Sequence, residues 1–354
     1  MECESGPSLV EMNRFEIITP TDVPGASRLL AQRGNIALAG GVDVVDLLKQ
    51  EIIEPRALIN LKGLAGMSAI QSDGGGGLRM GALVKLHDLA ESAEIRERYA
   101  AIADAARTAA TPQIRNLATL AGNLLQRPRC WYFRHPEVDC LKKGGLKCYA
   151  ADGLNRYHAI LGGGPSHIVH PSNLAPALIA CGAKARIFGS RGERETGLED
   201  FFVLPRTDVL RENNLEPGEI ITEIVVPAPN GDASSVYLEA REKQSFDWPL
   251  VSVAVVIERA RNRVRDARIV MGAVAPIPWR VPDAERVLAG TTLDFAVAAQ
   301  AAEIALSGAK PLADNGYKVP IAKVLVRRAI LHAGGIPQTV GPVADSTLGP
   351  LGRS

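Results

Sequence analysis

The sequence predicts an α+β fold in more than one domain, on three observations. Short apolar runs alternate with helical spacing over the first hundred residues. Runs rich in β-formers, separated by Gly- and Pro-bearing turns, fill the middle. Two long strand candidates followed by helical patterns close the chain. At 354 residues it exceeds the size at which one hydrophobic core usually stops growing.

"NRFEIITPTDVPGASRLLAQRGNIALAGGVDVVDLLKQ" reads as strand, helix, strand, Gly turn, helix, because apolar runs alternate with helical spacing and the turns carry Pro or Gly. "PRALINLKGL" and "LRMGALVKLHDLA" repeat the strand-then-helix theme, and the Ala-rich stretch from Glu91 to Ala110 is expected to be one helix. From His158 to Pro227 the β-rich runs "AKARIFG" and "EIITEIVVP" point to a more antiparallel module. "PAPNGDASS" has the composition of a linker. Beyond it, "SSVYLEAREKQ", "WPLVSVAVVIERA" and "VRDARIVMGAVA" are strand candidates, and helical patterns follow at Ala284–Leu288, Leu293–Leu306 and Lys318–Ala333.

The expected division is therefore an N-terminal extension (1–12), a first domain (13–228), a C-terminal domain (234–333) and a tail (334–354) that lacks periodicity and is expected to lie extended or disordered. The first domain splits into 13–126, a cysteine-bearing insertion at 127–157, and 158–228.

Hydrophobic residues make up 46% and charged ones 22%, and 40 basic side chains nearly cancel 39 acidic ones to leave +1. That balance is ordinary for a globular protein and lacks the global field of a dedicated nucleic-acid binder. No apolar run approaches the roughly 18 residues that cross a bilayer. Met1 to Glu11 has neither a basic start nor an apolar centre, so no signal or anchor is expected. The expected location is cytoplasmic, with periplasmic co-export on a partner's signal as the alternative. Five cysteines are too few for a disulfide framework.

In "IALAGGVDVVDLLKQ" an apolar strand meets Gly40 and Gly41 and then a helix, which brings unpaired N–H groups and the positive end of a helix dipole to one spot. Paired glycines let an anion such as a pyrophosphate approach the main chain without a Cβ in the way. The same residues also describe a strand-to-helix turn that binds nothing, and they do not form GxGxxG. In "IRNLATLAGNLLQR", Thr119, Gly122 and Asn123 offer a hydroxyl and an amide for phosphate or ribose, or else a tight turn with local hydrogen bonds.

Cys130, Cys140 and Cys148 are spaced C-x9-C-x7-C, without the C-x2-C pairs of zinc ribbons. Loop-borne spacings of this kind suit an iron–sulfur cluster, which prefers a fourth thiolate that the neighbourhood does not offer. Cys181 reads as core, and Cys3 lies in the expected extension. His135, His158, Ser166 and His167 are substitutes to consider, and three thiols holding no metal is the competing reading. Six basic residues of this segment face two acidic ones beside Trp131, Tyr132 and Phe133. Stacking on nucleic acid is one explanation, and neighbours of a bound anionic group are another.

The ordered set "LAGGVDVVDLLK", "RNLATLAGNLLQR", "RCWYFR" with its two following cysteines, "HPSNLAPALIA", "LEPGEIITEIVVP" and "MGAVAPIPWR" resembles the FAD-binding medium subunit of the molybdenum hydroxylases, the xanthine dehydrogenase and carbon monoxide dehydrogenase family. The resemblance runs from about Asn13 to Ala333 and is greatest to the bacterial aldehyde oxidoreductase FAD subunits. It implies a two-subdomain FAD domain like that of vanillyl-alcohol oxidase (PCMH type), followed by a C-terminal domain of the CO dehydrogenase flavoprotein type.

By the same resemblance, Leu38, Ala39, Gly40, Gly41, Val42, Asp43 and Val44 wrap the FAD pyrophosphate. Thr119, Gly122, Asn123 and Asn173 hold the rest of the cofactor. Cys130, Cys140 and Cys148 ligate a [4Fe-4S] cluster, with Ser166 where the family's fourth cysteine stands. Two departures are Asn173, where Asp is common, and Glu239, where Lys is common. Ser245 and Asp247 match a recurring stretch whose simplest role is structural, at a strand entry.

The implied role is an electron-transfer subunit of a heterotrimer. The molybdenum cofactor sits on a large partner and [2Fe-2S] clusters on a small one, the substrate is an aldehyde, and an external acceptor receives the electrons. No side chain of this chain is expected to act in substrate chemistry. The alternatives are a free-standing flavin oxidase and a metal-stapled binding module without a redox role.

Overall fold

The structure, a computed structural model, describes residues 13–243 and 246–337. The expected N-terminal extension, Cys3, Ser245 and the tail beyond 337 lie outside the described residues.

Three sheets organise the chain. The first is parallel: β1 (Glu16–Ile18) and β2 (Asn35–Leu38) flank β3 (Ala57–Asn60), with Leu58 opposite both Ile17 and Ile36. The helix Val23–Leu30 starts at Asp22, whose Oδ1 accepts from the Gly25 amide at 2.6 Å, and Pro24 occupies its first turn. β2 ends at a Gly turn that opens directly into the helix Val42–Lys49. In α/β architecture the crevice beyond the carboxyl ends of parallel strands is where ligands bind.

The second sheet has the order β4-β5-β8-β6-β7 and is antiparallel throughout. Its strands are β4 (Ile70–Ser72), β5 (Leu78–Gly81), β6 (Lys184–Gly189), β7 (Gly192–Gly197) and β8 (Ile220–Val226). β5 pairs with β8, with Met80 opposite Ile224, so the early strands complete a sheet whose other members come more than a hundred residues later.

The third sheet, of the C-terminal domain, is antiparallel with the order β12-β11-β10-β9. It consists of β9 (Asp232–Ala240), β10 (Val251–Ala260), β11 (Arg263–Gly272) and the short β12 (Trp279–Arg280). Period-2 alternation splits β10 between two cores. Val253, Val255 and Ile257 pack with the helices Pro282–Leu288, Phe295–Ala305 and Lys318–Ala333, while Ala254 and Val256 face the core of the first domain.

Three expectations need correction. The stretch Glu91–Ala110 is not one helix: Glu91 ends the helix Leu86–Glu91, and two more follow, Ala93–Arg98 and Ala100–Thr108. Tyr99 leaves helical backbone between them (φ −138°), and its buried ring sends the hydroxyl to the Pro227 carbonyl at 2.9 Å. Within the β-rich middle, "LAPALIA" is a wholly buried helix, Leu174–Ala180, lying against β10 and β11. The tail begins in order, because Gly335, at φ +69°, closes the last helix and the Ile336 amide bonds the Leu331 carbonyl in a Schellman turn. Among the described residues no helix is long and apolar enough to cross a membrane.

Candidate functional site

A cleft of about 680 Å³ opens where the β2 turn, the segment 118–123, Asn173 and the loop at 246–248 converge. Ala39, Gly40, Gly41, Val42, Asp43 and Val44 line one wall, and Thr119, Gly122, Asn123 and Asn173 line another. Leu38 does not line it. It ends β2, and its carbonyl accepts from the Leu61 amide at 2.9 Å. A smaller pocket of about 120 Å³ near Tyr99, Cys181 and Arg268 has too little room for a dinucleotide.

Two glycines shape the first wall. Gly41 sits at φ +80° as the N-cap of the helix Val42–Lys49 and supplies no side-chain cap, so the helix presents uncapped amides. A Cβ on Gly40 would stand 2.2 Å from the Leu117 carbonyl oxygen. The turn thus presses against the segment that leads to Thr119, and one close contact holds both walls.

On the second wall Thr119 is almost fully buried, and its Oγ1 accepts from the Gly122 amide at 3.2 Å, capping the helix Leu120–Leu124. A Cβ on Gly122 would lie 2.8 Å from that hydroxyl. Thr119 therefore shapes the turn. Asn123 and Asn173 are both fixed from behind. Asn123 Oδ1 accepts from Ser172 Oγ at 2.6 Å and from the Leu174 amide at 3.3 Å. Asn173 Nδ2 donates to Tyr237 Oη at 3.3 Å and to Glu239 Oε2 at 3.1 Å.

Asp43 faces away from any cofactor role for its carboxylate. It accepts from the Arg127 amide (2.8 Å), Arg134 (2.8 Å) and Arg129 (2.7 Å), all in the insertion. Asp46, one turn on, takes Arg129 at 2.9 Å and Arg134 at 3.0 Å. Lys142 and Arg127 both pair with Glu212, at 2.8 and 2.9 Å. The basic residues of the cysteine segment are therefore largely matched inside the molecule, binding the insertion to the helix that begins at Val42.

The cluster expectation is not supported. Among the described residues, no three His, Cys, Asp or Glu side chains form a group that could hold a metal ion. Cys130 Sγ instead hydrogen-bonds His158 Nε2 at 3.2 Å, and burial pushes the Cys130 thiol up to about 11. Cys140 is packed with Leu47 and Phe133 in a small apolar core against which Cys130 also lies, and Cys148 is near enough to act on the Cys130 thiol electrostatically. Ser166 is buried beside the turn at Gly164, whose amide bonds the Ser166 carbonyl.

Sequence reasoning missed the mouth of the cleft. Phe246, Asp247 and Trp248 come from the C-terminal domain, and Trp248 stacks on the Arg129 guanidinium, 4.5 Å from the ring centre. Asp247 thus stands on the cleft wall in addition to its strand-entry position. Two exposed aromatics just before an apolar strand were the available signal: Phe246 is 62% and Trp248 45% exposed.

The fit to FAD rests on a cleft with room for a dinucleotide, uncapped amides at one wall, a glycine whose Cβ would strike backbone, and two fixed amides opposite. Residues 13–229 match the FAD binding domain in molybdopterin dehydrogenase, and residues 235–333 match the CO dehydrogenase flavoprotein C-terminal domain. The chain is 37% identical over 318 residues to the aldehyde oxidoreductase FAD-binding subunit PaoB of Escherichia coli, covering 88% of this chain and 96% of that protein. It is 28% identical to the carbon monoxide dehydrogenase medium chain of Hydrogenophaga pseudoflava, covering 90% of this chain and 96% of that one. The solved structure of carbon monoxide dehydrogenase from Hydrogenophaga pseudoflava contains a chain that superposes with a TM-score of 0.73 at 24% identity, over 92% of this chain and 99% of that chain, a likeness of fold. With both domains matched in order around one dinucleotide-sized cleft, the chain belongs to the family of FAD-binding medium subunits of molybdenum hydroxylases.

Proposed function

We propose that this chain is the FAD station of a heterotrimeric, aldehyde-oxidising molybdenum hydroxylase. It takes electrons from [2Fe-2S] clusters on a small partner and delivers them to an external acceptor, while substrate is oxidised at the molybdenum cofactor of a large partner. The observation that carries the reading is the junction of the Gly40–Gly41 turn with the segment at 117–123, which makes one wall of uncapped amides and one of fixed side-chain amides. FAD supplies a carrier that accepts electrons singly and releases them in pairs.

The chain's own residues bind, orient and enclose. The amides at the start of the helix Val42–Lys49 meet the negative charge of a pyrophosphate with the positive end of the helix dipole. Asn123 and Asn173 orient polar groups by direction, and Trp248 with Arg129 closes the mouth. The match of both domains to medium-subunit families favours substrate chemistry on a partner over a free-standing oxidase. The aldehyde class is supported by the 37% identity to an aldehyde oxidoreductase subunit.

The test is flavin content and turnover. The purified chain is expected to carry about one flavin, and aldehyde-dependent reduction of a dye to require co-purified large and small partners. Aldehyde turnover by the isolated chain would replace this reading with the free-standing oxidase, and a chain that takes up no flavin would remove both.

A further inference from the structure

We infer that Glu239 is a positioning residue that forces Asn173 to present its carbonyl oxygen to the cleft, so that the cofactor group bound there must be a hydrogen-bond donor. This rests on the FAD reading and refines it.

The argument is one of hydrogen-bond parity. An amide side chain has one end that donates and one that accepts, and the two are told apart only by their partners. Behind Asn173 lie two groups. Burial pushes Glu239 upward, but Arg241 on Oε1 and the donors of Tyr237 and Asn173 on Oε2 favour the carboxylate, which has no proton to give. Tyr237 Oη has committed its proton to the same Oε2 at 3.1 Å, which leaves only a lone pair for Asn173. Both neighbours therefore accept, and the NH2 end of Asn173 must face them. Oδ1 is the end left toward the cleft, which Asn173 lines. Among the described residues no protein donor meets it, and it is not a sealed, orphaned atom.

Asn123 next door is set the opposite way. Its Oδ1 is taken by Ser172 Oγ and the Leu174 amide, on either side of Asn173, so its NH2 faces the cleft. The wall thus offers a donor and an acceptor close together. Phosphate and carbonyl oxygens of a ligand suit Asn123, and an N–H or O–H suits Asn173. In FAD such donors are the imide N–H of the isoalloxazine and the hydroxyls of the ribityl chain.

Glu239→Gln reverses the arrangement without changing its shape. Arg241 demands an oxygen, so the Gln carbonyl stays on Arg241 and its NH2 turns toward Asn173. Asn173 then flips and points NH2 into the cleft. Adding Asn173→Asp restores an oxygen on both sides at once. FAD titrations of the flavin-stripped full chain, followed by flavin fluorescence, should show Glu239→Gln binding roughly ten- to a hundredfold more weakly. The double variant should return to within about threefold of wild type. Wild-type affinity in Glu239→Gln, or no rescue by Asn173→Asp, overturns the inference, the second by marking Glu239 as merely structural. Should Glu239→Gln not fold, a structure of the wild-type chain with FAD decides. An N–H or O–H of the cofactor on Asn173 Oδ1 supports the assignment, and a carbonyl or phosphate oxygen there defeats it. With wild-type chain, 3-methyl-FAD and FAD lacking a ribityl hydroxyl tell the two donor sources apart. A wild-type chain that binds no FAD refutes the functional reading itself and is seen before any variant is made.

Discussion

Replacing Gly40 by Ala should damage cofactor binding and stability together, through one contact. The added methyl carbon would lie 2.2 Å from the Leu117 oxygen, 3.0 Å from the Leu117 carbonyl carbon and 3.2 Å from Ala118 Cα. The closest ordinary carbon–oxygen approach is about 3.3 Å, so the turn and the 117–118 backbone must part by roughly 1 Å. Both partners are main chain, which cannot swing aside as a long side chain would. Overpacking of this kind costs about 1–3 kcal/mol. The same displacement separates the amides at Val42–Val44 from Asn123 across the cleft, so FAD affinity should fall roughly 10- to 100-fold. The assay is FAD titration of the flavin-stripped chain beside thermal unfolding, with Gly63→Ala as control, since a Cβ there meets nothing within 4 Å. If Gly40→Ala kept wild-type affinity and unfolding temperature, the close approach would not be what holds the two walls, and the argument for the cleft would fail.

Arg134→Met should cost about 2–3 kcal/mol and loosen the insertion, because this nearly buried guanidinium bonds Asp43, Asp46 and the carbonyls of Pro128 and Arg127, while Arg129 remains to hold Asp43. Urea unfolding checks the cost, and limited proteolysis within 127–157 checks the loosening. Burial first, and the Lys318 charge second, lower His158 to about 4. An unfolded His titrates near 6.5, so the stabilisation from keeping this ring neutral is complete above about 6.5 and is lost as pH falls toward 4, by about 3 kcal/mol in all. The urea midpoint should therefore drop between pH 7 and pH 5, and drop less in His158→Gln. Lys318 is buried, has no acidic partner among the described residues and donates to the carbonyls of Tyr157, His158 and Ala273, and burial brings it down to about 7. Between about 7 and 10.5 the unfolded chain holds a proton that the folded chain does not, so stability should rise with pH across that window. In Lys318→Met the rise should flatten, and an equal slope in both proteins would contradict the assignment.

What was legible in the sequence was local. A strand, two glycines and a helix in succession require a particular backbone, because an αL residue and a Cβ-free approach leave few alternatives, and the turn at Gly40 and Gly41 follows. Asn123 and Thr119 were legible for the same reason, although Thr119 turned out to spend its oxygen on a cap. What was not legible depends on partners distant in sequence. Glu91–Ala110 has helical composition throughout; Ser92 starts a new helix within it, and the second break comes from the reach of Tyr99 to Pro227, 128 residues on. The six basic residues around Cys130 could not be told from a ligand-binding patch, because the carboxylates that match most of them are Asp43, Asp46 and Glu212. Spacing alone also left the thiols undecided: Cys130, Cys140 and Cys148 come near one another, yet Cys130 bonds His158 and Cys140 packs into an apolar core.

Asn173 and Glu239 show how far residue-by-residue reading can go before geometry is needed. Read singly, each was a departure of charge, one carboxylate lost and one gained. Together in the structure they form one hydrogen-bonded unit in which the gained carboxylate dictates how the amide faces. The consequence for a ligand is directional. A charge near a cofactor changes affinity gradually with distance and salt, whereas an amide held end-on selects donor from acceptor outright. For that reason the effect of Glu239→Gln on FAD should persist at high ionic strength. An effect that vanished there would mean the carboxylate acts on the flavin as a charge, and Asn173 would lose its directional part.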